Sequence, residues 1–225
     1  ITWDFKWGYD PFAYDNHSMA DPDRDGLTNL EEYQMAKYYA DPFHQDIYIE
    51  SDGMVKGGFF DWPHVFWPES QQCVIERFAE HNICVYIDNG WPGDPPNGGG
   101  ELLPHYETIS QDSGMMLQFY KWHFADSRKG IFRYLVVGHN AGFCHPSVNN
   151  RYDTMAVDTS PYKMYLKRLA FTPRTQRLLL ASATMHELGH SLGIAPWTVG
   201  GNDNVTFGLG KAQKKAFLDQ WGNYY

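Results

Sequence analysis

The chain has 225 residues, 43% of them apolar, and its 27 acidic and 18 basic residues give a formal net charge of −9. This length suits one sizeable domain, or one domain with a small appendage. The acidic balance and the lack of any long Lys/Arg run argue against a nucleic-acid partner, and no apolar stretch approaches the roughly 20 residues of a transmembrane helix.

The chain is expected to divide into an N-terminal appendage, residues 1–45, and a main domain, residues 46–225. The appendage begins with aromatic and Asp-rich sequence, continues through an Asp/Gly loop, and ends with the run LEEYQMAKYYA before Asp41-Pro42. This run has helical composition, and the Asp-Pro pair is a typical stop signal.

The Asp/Gly loop, DPDRDGLTNLEE (21–32), fits the calcium-loop pattern D-x-D-x-D-G-x₅-E position by position. Gly26 takes the sharp turn at the sixth position. The predicted calcium ligands are Asp21, Asp23, Asp25, Leu27 through its carbonyl, Asn29 and Glu32. Because three aspartates within five residues repel one another when the loop is empty, we expect Ca²⁺ here.

The main domain opens with a βαβ pattern. DIYIES (46–51) alternates as a strand does, ESQQCVIERFAEH (69–81) has helical spacing, and ICVYID (83–88) is a continuous apolar strand. A strand, helix and strand in this order favour a partly parallel sheet with helices packed on it.

Further along, the same criteria predict a helix within DSGMMLQFYKWHF (112–124), a strand IFRYLVVG (131–138) and an edge strand YDTMAVDT (152–159). The longest helical run is TPRTQRLLLASATMHELGHSLG, with Thr172 as its N-cap, Pro173 at its first position and Gly193 at its end. A last helix is predicted over residues 211–221.

The long helix carries the pattern H-E-x-x-H at His186, Glu187 and His190. Residues four apart lie on one face of a helix, so both imidazoles can reach one Zn²⁺ at the ~2.0–2.1 Å of a zinc–nitrogen bond. Glu187 is then placed as general base for a water activated by the metal, and as the donor of that proton to the leaving amine.

With Gly193, the segment extends to H-E-x-x-H-x-x-G and resembles the metzincin group of zincin metallopeptidases. The resemblance implies an α+β (α/β zincin-like) fold, in which a twisted mixed sheet lies over a long active-site helix, with the calcium-loop appendage beside it. It also implies that the helix 172–193 forms the cleft floor and that the strand 152–159 forms the rim along which a peptide binds.

Two departures from the metzincin motif concern the third zinc ligand. Pro196 occupies the usual ligand position, and Met185 is the last methionine, so the chain has no later Met-containing turn. No His or Glu follows His190, which leaves Asp203 and Asp219 as downstream carboxylates. Asp203, in a Gly-rich loop, is the favoured third ligand, while Asp219 and a ligand beyond Tyr225 stay open alternatives.

Several other groups are candidate site residues. His139, Cys144 and His145 follow a predicted strand, and a cleft-lining loop is favoured there over metal ligation. Asp88, Asp94 and Glu101 lie in a Gly/Pro-rich stretch, where a plain surface loop is favoured over a second calcium site.

Two tyrosines, Tyr152 and Tyr162, are candidates to stabilise an oxyanion. The three cysteines allow either one disulfide with one thiol left over or three thiols: Cys73, Cys84 and Cys144.

The calcium loop resembles the thrombospondin type 3 and dockerin repeats of secreted and cell-surface proteins, which implies an extracellular setting. Together with the zinc motif, it favours a secreted, calcium-stabilised, zinc-dependent endopeptidase that acts on a peptide or protein substrate. The alternative is a catalytically inactive zincin-like protein of the cell surface, which retains calcium and binds assembly partners.

Overall fold

A computed structural model describes residues 2–13, 17–94, 96–109, 114–139, 141–145, 153–159 and 172–193. Some of the predictions concern residues outside these ranges: Pro196, Asp203, Asp219, Tyr152, Tyr162 and the helix 211–221. Within the described part, the appendage contains short helices, and the predicted helical run after residue 29 is divided between two of them. The elements are α1 (Thr2–Trp7), a 3₁₀ turn (His17–Met19), α2 (Asn29–Gln34) and a second 3₁₀ turn (Ala36–Tyr38).

The main domain is built on a six-stranded sheet with the order β2-β1-β4-β6-β5, and β3 pairs with the end of β1. All pairings are parallel except that of β5 with β6. The strands are β1 (Asp46–Met54), β2 (Cys84–Asp88), β3 (Leu102–Leu103), β4 (Phe132–Gly138), β5 (Gly142–His145) and β6 (Thr154–Asp158).

The parallel βαβ unit is confirmed, because α3 (Pro68–Ala79) connects β1 to the parallel strand β2. The predicted helix within 112–124 is also confirmed as α4 (Met115–Trp122). The edge position of the strand predicted at 152–159 is wrong. β6 lies inside the sheet between β4 and β5, because residues 142–145, expected to be loop, form the antiparallel edge strand instead.

Each face of the sheet is covered by a separate apolar layer. Ile47 and Ile49 of β1 pack with Val74 of α3 and Leu180 of the long helix α5 (Pro173–Ser191) on one face. On the other face, Tyr48 packs with aromatic residues of β4 and with α4. This alternation follows from the two-residue period of a strand, and the result is a mixed α/β architecture with helices on both faces.

The face that carries Tyr48 also holds a buried ionic network. Arg128 is 3% exposed, and its Nη1 donates to Glu50 Oε2 at 2.5 Å and to Asp88 Oδ2 at 2.6 Å. Its Nη2 lies 2.7 Å from Asp94 Oδ2. Burial raises the pKa of Glu50 to about 8, although the Arg128 charge acts in the opposite direction. The expectation of a plain surface loop is wrong for Asp88 and Asp94, which pair with this arginine.

The long helix α5 (Pro173–Ser191) begins as predicted, because Thr172 Oγ1 accepts a hydrogen bond from Thr175 N at 3.2 Å. Near its start, Gln176 Nε2 donates to the Thr159 carbonyl, just after β6, at 3.0 Å. At its end, Ser191 Oγ accepts from Arg133 Nε, at the beginning of β4, at 3.0 Å. The helix therefore runs from the carboxyl edge of the parallel sheet to its amino edge.

No helix in the described ranges is long and apolar enough to cross a membrane. None of the three cysteines is in a disulfide: Cys73 lies in α3, Cys84 begins β2 and Cys144 is buried in β5.

Candidate metal centres

The predicted calcium loop brings carboxylates together near the amino edge of the sheet. One carboxylate oxygen from each of Asp21, Asp23 and Asp25 lies within 4.8 Å of the others. Backbone N–H groups hold the loop, since Gly26 N donates to Asp21 Oδ2 at 3.1 Å and Leu27 N donates to Asp25 Oδ1 at 2.7 Å. Gly26 has a φ of 94°, a left-handed conformation that favours glycine at this turn.

Glu32 gives the loop its deepest carboxylate. It is 1% exposed, and neither of its carboxylate oxygens has a hydrogen-bond partner among the described residues. Burial, followed by the charges of Asp25 and Asp46, raises its pKa to about 8. A buried carboxylate without a donor beside three aspartates has the chemistry of a Ca²⁺ site, so these residues fit the predicted ion.

The other predicted calcium ligand with a side chain is Asn29, at the first position of α2. It is buried, and its Nδ2 donates to the His17 carbonyl at 2.6 Å. Because the amide nitrogen is used in that bond, the buried Oδ1 of Asn29, which has no hydrogen-bond partner among the described residues, is the side-chain oxygen available to a cation.

The calcium loop is bonded directly to the main domain. Asp46 N, at the start of β1, donates to Asp25 Oδ2 at 2.8 Å, and Gln45 Nε2 donates to the Asp23 carbonyl at 2.9 Å. A pocket of about 230 Å³ separates the loop from the end of α5, and its lining includes Asp25, Arg133 and Ser191. Through Arg133, the loop is thus next to the helix that carries the zinc motif.

The zinc motif lies in the last turns of α5, near the amino edge. The rings of His186 and His190 have centroids 4.9 Å apart with planes at 89°, and both side chains are partly exposed. Glu187, between them in sequence, is 5% exposed. Two imidazoles on one face of the helix can both bind one zinc ion, so these residues fit the predicted metal. The remaining predicted ligand, Asp203, is outside the described residues.

The motif adjoins the edge strand β5. Burial, followed by the charge of Glu187, raises the pKa of the Cys144 thiol to about 12. Cys144 is therefore a buried neutral thiol close to Glu187. Cys144 and His139 are close in sequence, but among the described residues they do not belong to one metal-binding group. The side chain of His145 is outside the described part of the structure.

A second cluster, which sequence analysis did not identify, lies at the opposite, carboxyl edge of the sheet. Ligand atoms of Asp61, His64, His105 and His139 all lie within 4.8 Å of one another. His139 Nε2 is 2.7 Å from Asp61 Oδ1, while His64 Nε2 and His105 Nδ1 lie 3.1 Å and 3.8 Å from Asp61 Oδ2. We refer to these four residues as the histidine cluster. His139 follows β4 outside any strand, as expected, and its part in a cleft stays a prediction.

Strand topology brings the histidine cluster together. Asp61 and His64 follow β1, His105 comes two residues after β3, and His139 comes directly after β4. Because these strands are parallel, their carboxyl ends meet at one edge of the sheet, which is where open α/β sheets bind ligands. In the sequence, only His105 and His139 of the cluster closely follow a strand, and β3 is too short at two residues to be recognised by its pattern.

The ionisation of the cluster follows its surroundings. Burial alone would raise the pKa of Asp61, but the hydrogen bond from Gly57 N and the contacts with His64 and His139 lower it to about 2. Burial lowers the pKa of His64, against the effect of Asp61. The cluster thus holds an ionised carboxylate beside a histidine that favours its neutral, ligand-competent form.

A third group, formed by His44, Asp46 and Cys84, also brings ligand atoms within 4.8 Å of one another. The carboxylate of this group already accepts a backbone hydrogen bond, from Asp41 N to Asp46 Oδ2 at 3.1 Å. His44 Nε2 lies 3.2 Å from Asn82 Oδ1. These contacts make the group part of the junction between the appendage and the sheet.

Comparisons with family models, with curated proteins and with solved structures give no significant match for this chain.

Proposed function

We propose that this chain is a secreted, calcium-stabilised, zinc-dependent endopeptidase. The observation that carries the proposal is the arrangement at the end of α5, where the His186 and His190 rings lie 4.9 Å apart and the buried Glu187 adjoins the edge strand β5. Two imidazoles, an adjacent carboxylate and an edge strand are the parts that a metal-dependent peptidase needs in one place.

In this proposal, His186 and His190 hold the zinc ion through ring nitrogens. When bound, zinc supplies a Lewis acid that polarises the scissile carbonyl and lowers the pKa of water to about 7. Glu187 accepts a proton from the attacking water and transfers it to the leaving amine. Glu187 is buried in α5, where its charge acts on Cys144 of β5.

The substrate strand is proposed to bind along β5 rather than β6. β5 pairs with β6 on one side, and no other strand of the described residues pairs with its second side. An extended peptide can add its backbone hydrogen bonds to such an edge. This reassigns the rim role that sequence analysis gave to 152–159.

The proposed third zinc ligand is Asp203, with Asp219 as the alternative. Replacing each by Asn separates them, because loss of a ligand lowers zinc occupancy whereas loss of a surface carboxylate does not. Zinc content after dialysis against a limiting zinc concentration is the measurement. Equal zinc content in Asp203→Asn and in the unchanged chain would reject Asp203.

The test of the catalytic proposal is Glu187→Gln, assayed for cleavage of an unfolded protein substrate in buffer with calcium and zinc. General-base removal typically lowers a rate by about 10²- to 10⁴-fold, and zinc content is expected to stay the same. The matched control is Glu76→Gln on the exposed face of α3, which leaves the rate unchanged. Full activity in Glu187→Gln would reject the mechanism.

The second candidate function is a calcium-bound, non-catalytic surface protein. The observation that favours it is Pro196, which occupies the position where the metzincin motif has its third ligand. In that case, the His186→Ala and His190→Ala variants bind as much zinc as the unchanged chain, and no peptide cleavage is detected in either.

A further inference from the structure

We propose that the histidine cluster, Asp61, His64, His105 and His139, is a second metal site, which binds one divalent transition-metal ion with Zn²⁺ as the best-matched ion. The site is separate from the one proposed at His186 and His190. Along α5, about 14 residues separate the carboxyl-edge contact of Gln176 from His190, which corresponds to roughly 21 Å at 1.5 Å per residue.

The rings of the cluster surround the Asp61 carboxylate from three directions. The ring centroids of His64 and His139 are 4.4 Å apart at 70°, and those of His105 and His139 are 5.3 Å apart at 90°. Each ring comes from a different segment of the chain, so the convergence is not a consequence of helical or strand periodicity. All four side chains are at most 19% exposed.

The two nitrogens of His64 have different neighbours. Nδ1 lies 2.5 Å from Thr159 Oγ1, and Nε2 lies 3.1 Å from the Asp61 carboxylate. When Nδ1–H donates to Thr159, the Nε2 lone pair is available to a cation that the Asp61 carboxylate also binds.

The groups around the ligands are also held in place. Thr159 N donates to the Gly138 carbonyl at 3.1 Å, and Gln176 Nε2 donates to the Thr159 carbonyl at 3.0 Å. Gly57 N donates to Asp61 Oδ2 at 2.7 Å. Outer hydrogen bonds of this kind fix the tautomer and orientation of metal ligands.

Two glycines, Gly53 and Gly57, lie so close to residues of the cluster that a side chain at either position would clash with them. A Cβ on Gly53 would lie 2.1 Å from the His64 carbonyl oxygen, and a Cβ on Gly57 would lie 2.3 Å from His105 Nε2. A larger residue at Gly53 would displace backbone, because the contacted atom belongs to the main chain. The close approach of the His64 backbone to β1 therefore depends on the absence of a side chain at Gly53.

The donor set identifies the class of ion and its role. Imidazole nitrogens suit Zn²⁺ and related transition metals, and three of them with one carboxylate complete a tetrahedral set. Four protein ligands leave no open position, which is the pattern of structural rather than catalytic zinc. The ion would join the segment after β1 to the segments after β3 and β4.

The experiment measures zinc per chain by elemental mass spectrometry after dialysis of the full-length protein against excess calcium and limiting zinc. We expect His139→Ala to lose about one zinc ion per chain relative to the unchanged chain, and the same loss when the substitution is made in a His190→Ala background. The matched control is His123→Ala, which removes a histidine with a single carboxylate partner, Glu101, at 2.7 Å and leaves zinc content unchanged.

A second readout does not depend on stoichiometry. Co²⁺ added to His190→Ala is expected to give the intense visible absorption of a tetrahedral site, and His105→Ala is expected to abolish it. Zinc content in His139→Ala equal to that of the unchanged chain, or a Co²⁺ spectrum unaffected by His105→Ala, would overturn the proposal. A failure at the other site is recognised separately, because His190→Ala would then lose no zinc.

Discussion

The two edges of the parallel sheet carry different chemistry. At the amino edge, the calcium loop gathers Asp21, Asp23 and Asp25 beside the buried Glu32, so every ligand is a hard oxygen. At the carboxyl edge, the histidine cluster places three imidazoles around a single carboxylate. Because hard oxygens select Ca²⁺ and imidazoles select transition metals, the calcium loop and the histidine cluster are suited to different classes of ion.

Buried carboxylates are compensated in different ways in the middle of the sheet and near its amino edge. In the middle of the sheet, the carboxylates of Glu50 and Asp88 are neutralised by Arg128, a cation that belongs to the chain. Near the amino edge, neither oxygen of the buried Glu32 has a hydrogen-bond partner among the described residues, and the charges of Asp25 and Asp46 act on it. We therefore expect the central network to keep its stability without metal and the calcium loop to depend on its ion.

The largest expected effect comes from Arg128→Met, which removes the internal cation and leaves carboxylates buried without it. Breaking a buried pair in this way typically lowers the free energy of unfolding by about 3–5 kcal/mol. Urea denaturation in saturating calcium and zinc is the measurement. Arg77→Met, which removes the exposed pair with Glu80, is the control and should cost at most about 1 kcal/mol. Similar losses in both variants would show that the centre is not held by its own ionic network.

The next effect concerns calcium at the amino edge. Calcium at about 100 times its dissociation constant is expected to stabilise the unchanged chain by about 2.7 kcal/mol, since it binds only the folded loop. Glu32→Gln removes the predicted bidentate ligand and should abolish most of this gain. Thermal unfolding with calcium and with chelator measures it, and Glu31→Gln, which affects the N-cap contact with Thr28, is a neighbouring control. An equal calcium response in Glu32→Gln would reject the loop as the calcium site.

The same carboxylates predict a pH dependence of the calcium-free protein. Burial raises the folded-state pKa of Glu32 from 4.5 to about 8 and that of Asp46 from 3.8 to about 7. A raised carboxyl pKa contributes stability that is complete below the unfolded value and is lost as the pH rises through the folded value. The melting temperature of the calcium-free chain should therefore fall between pH 5 and about pH 8. Calcium should remove most of this fall, and a flat profile without calcium would contradict it.

Much of the fold follows from local pattern. β1 and β2 are recognisable because their side chains have strand alternation or continuous apolar character, and α5 because Thr172 caps a long helical run. β5 was missed because four residues, GFCH, are too few to show a period. Its pairing with β6 is decided by tertiary contacts, and the edge position of β6 was therefore assigned incorrectly.

The same distinction applies to the candidate sites. The calcium loop and the H-E-x-x-H motif are contiguous, so ligand spacing alone identifies them. The histidine cluster is different, because Asp61, His105 and His139 are joined by the parallel order of β1, β3 and β4 and have no spacing to recognise. Sequence patterns therefore locate sites built from one segment, and strand topology is needed to locate sites built from several.

The smallest expected effect tests whether the carboxyl edge is organised as a metal site or as a set of hydrogen bonds. Thr159→Val keeps the size of the side chain but removes the hydroxyl that lies 2.5 Å from His64 Nδ1. If His64 is a metal ligand, loss of this outer contact should lower zinc affinity at the cluster by about 10- to 100-fold. Competition with a chromophoric chelator in a His190→Ala background measures the affinity of this site alone. Thr108→Val, at an exposed threonine outside the cluster, controls for the loss of a hydroxyl. A Thr159→Val affinity equal to that of the control would mean that Thr159 does not orient a ligand, and the contrast between the two edges would then depend on His105 and His139.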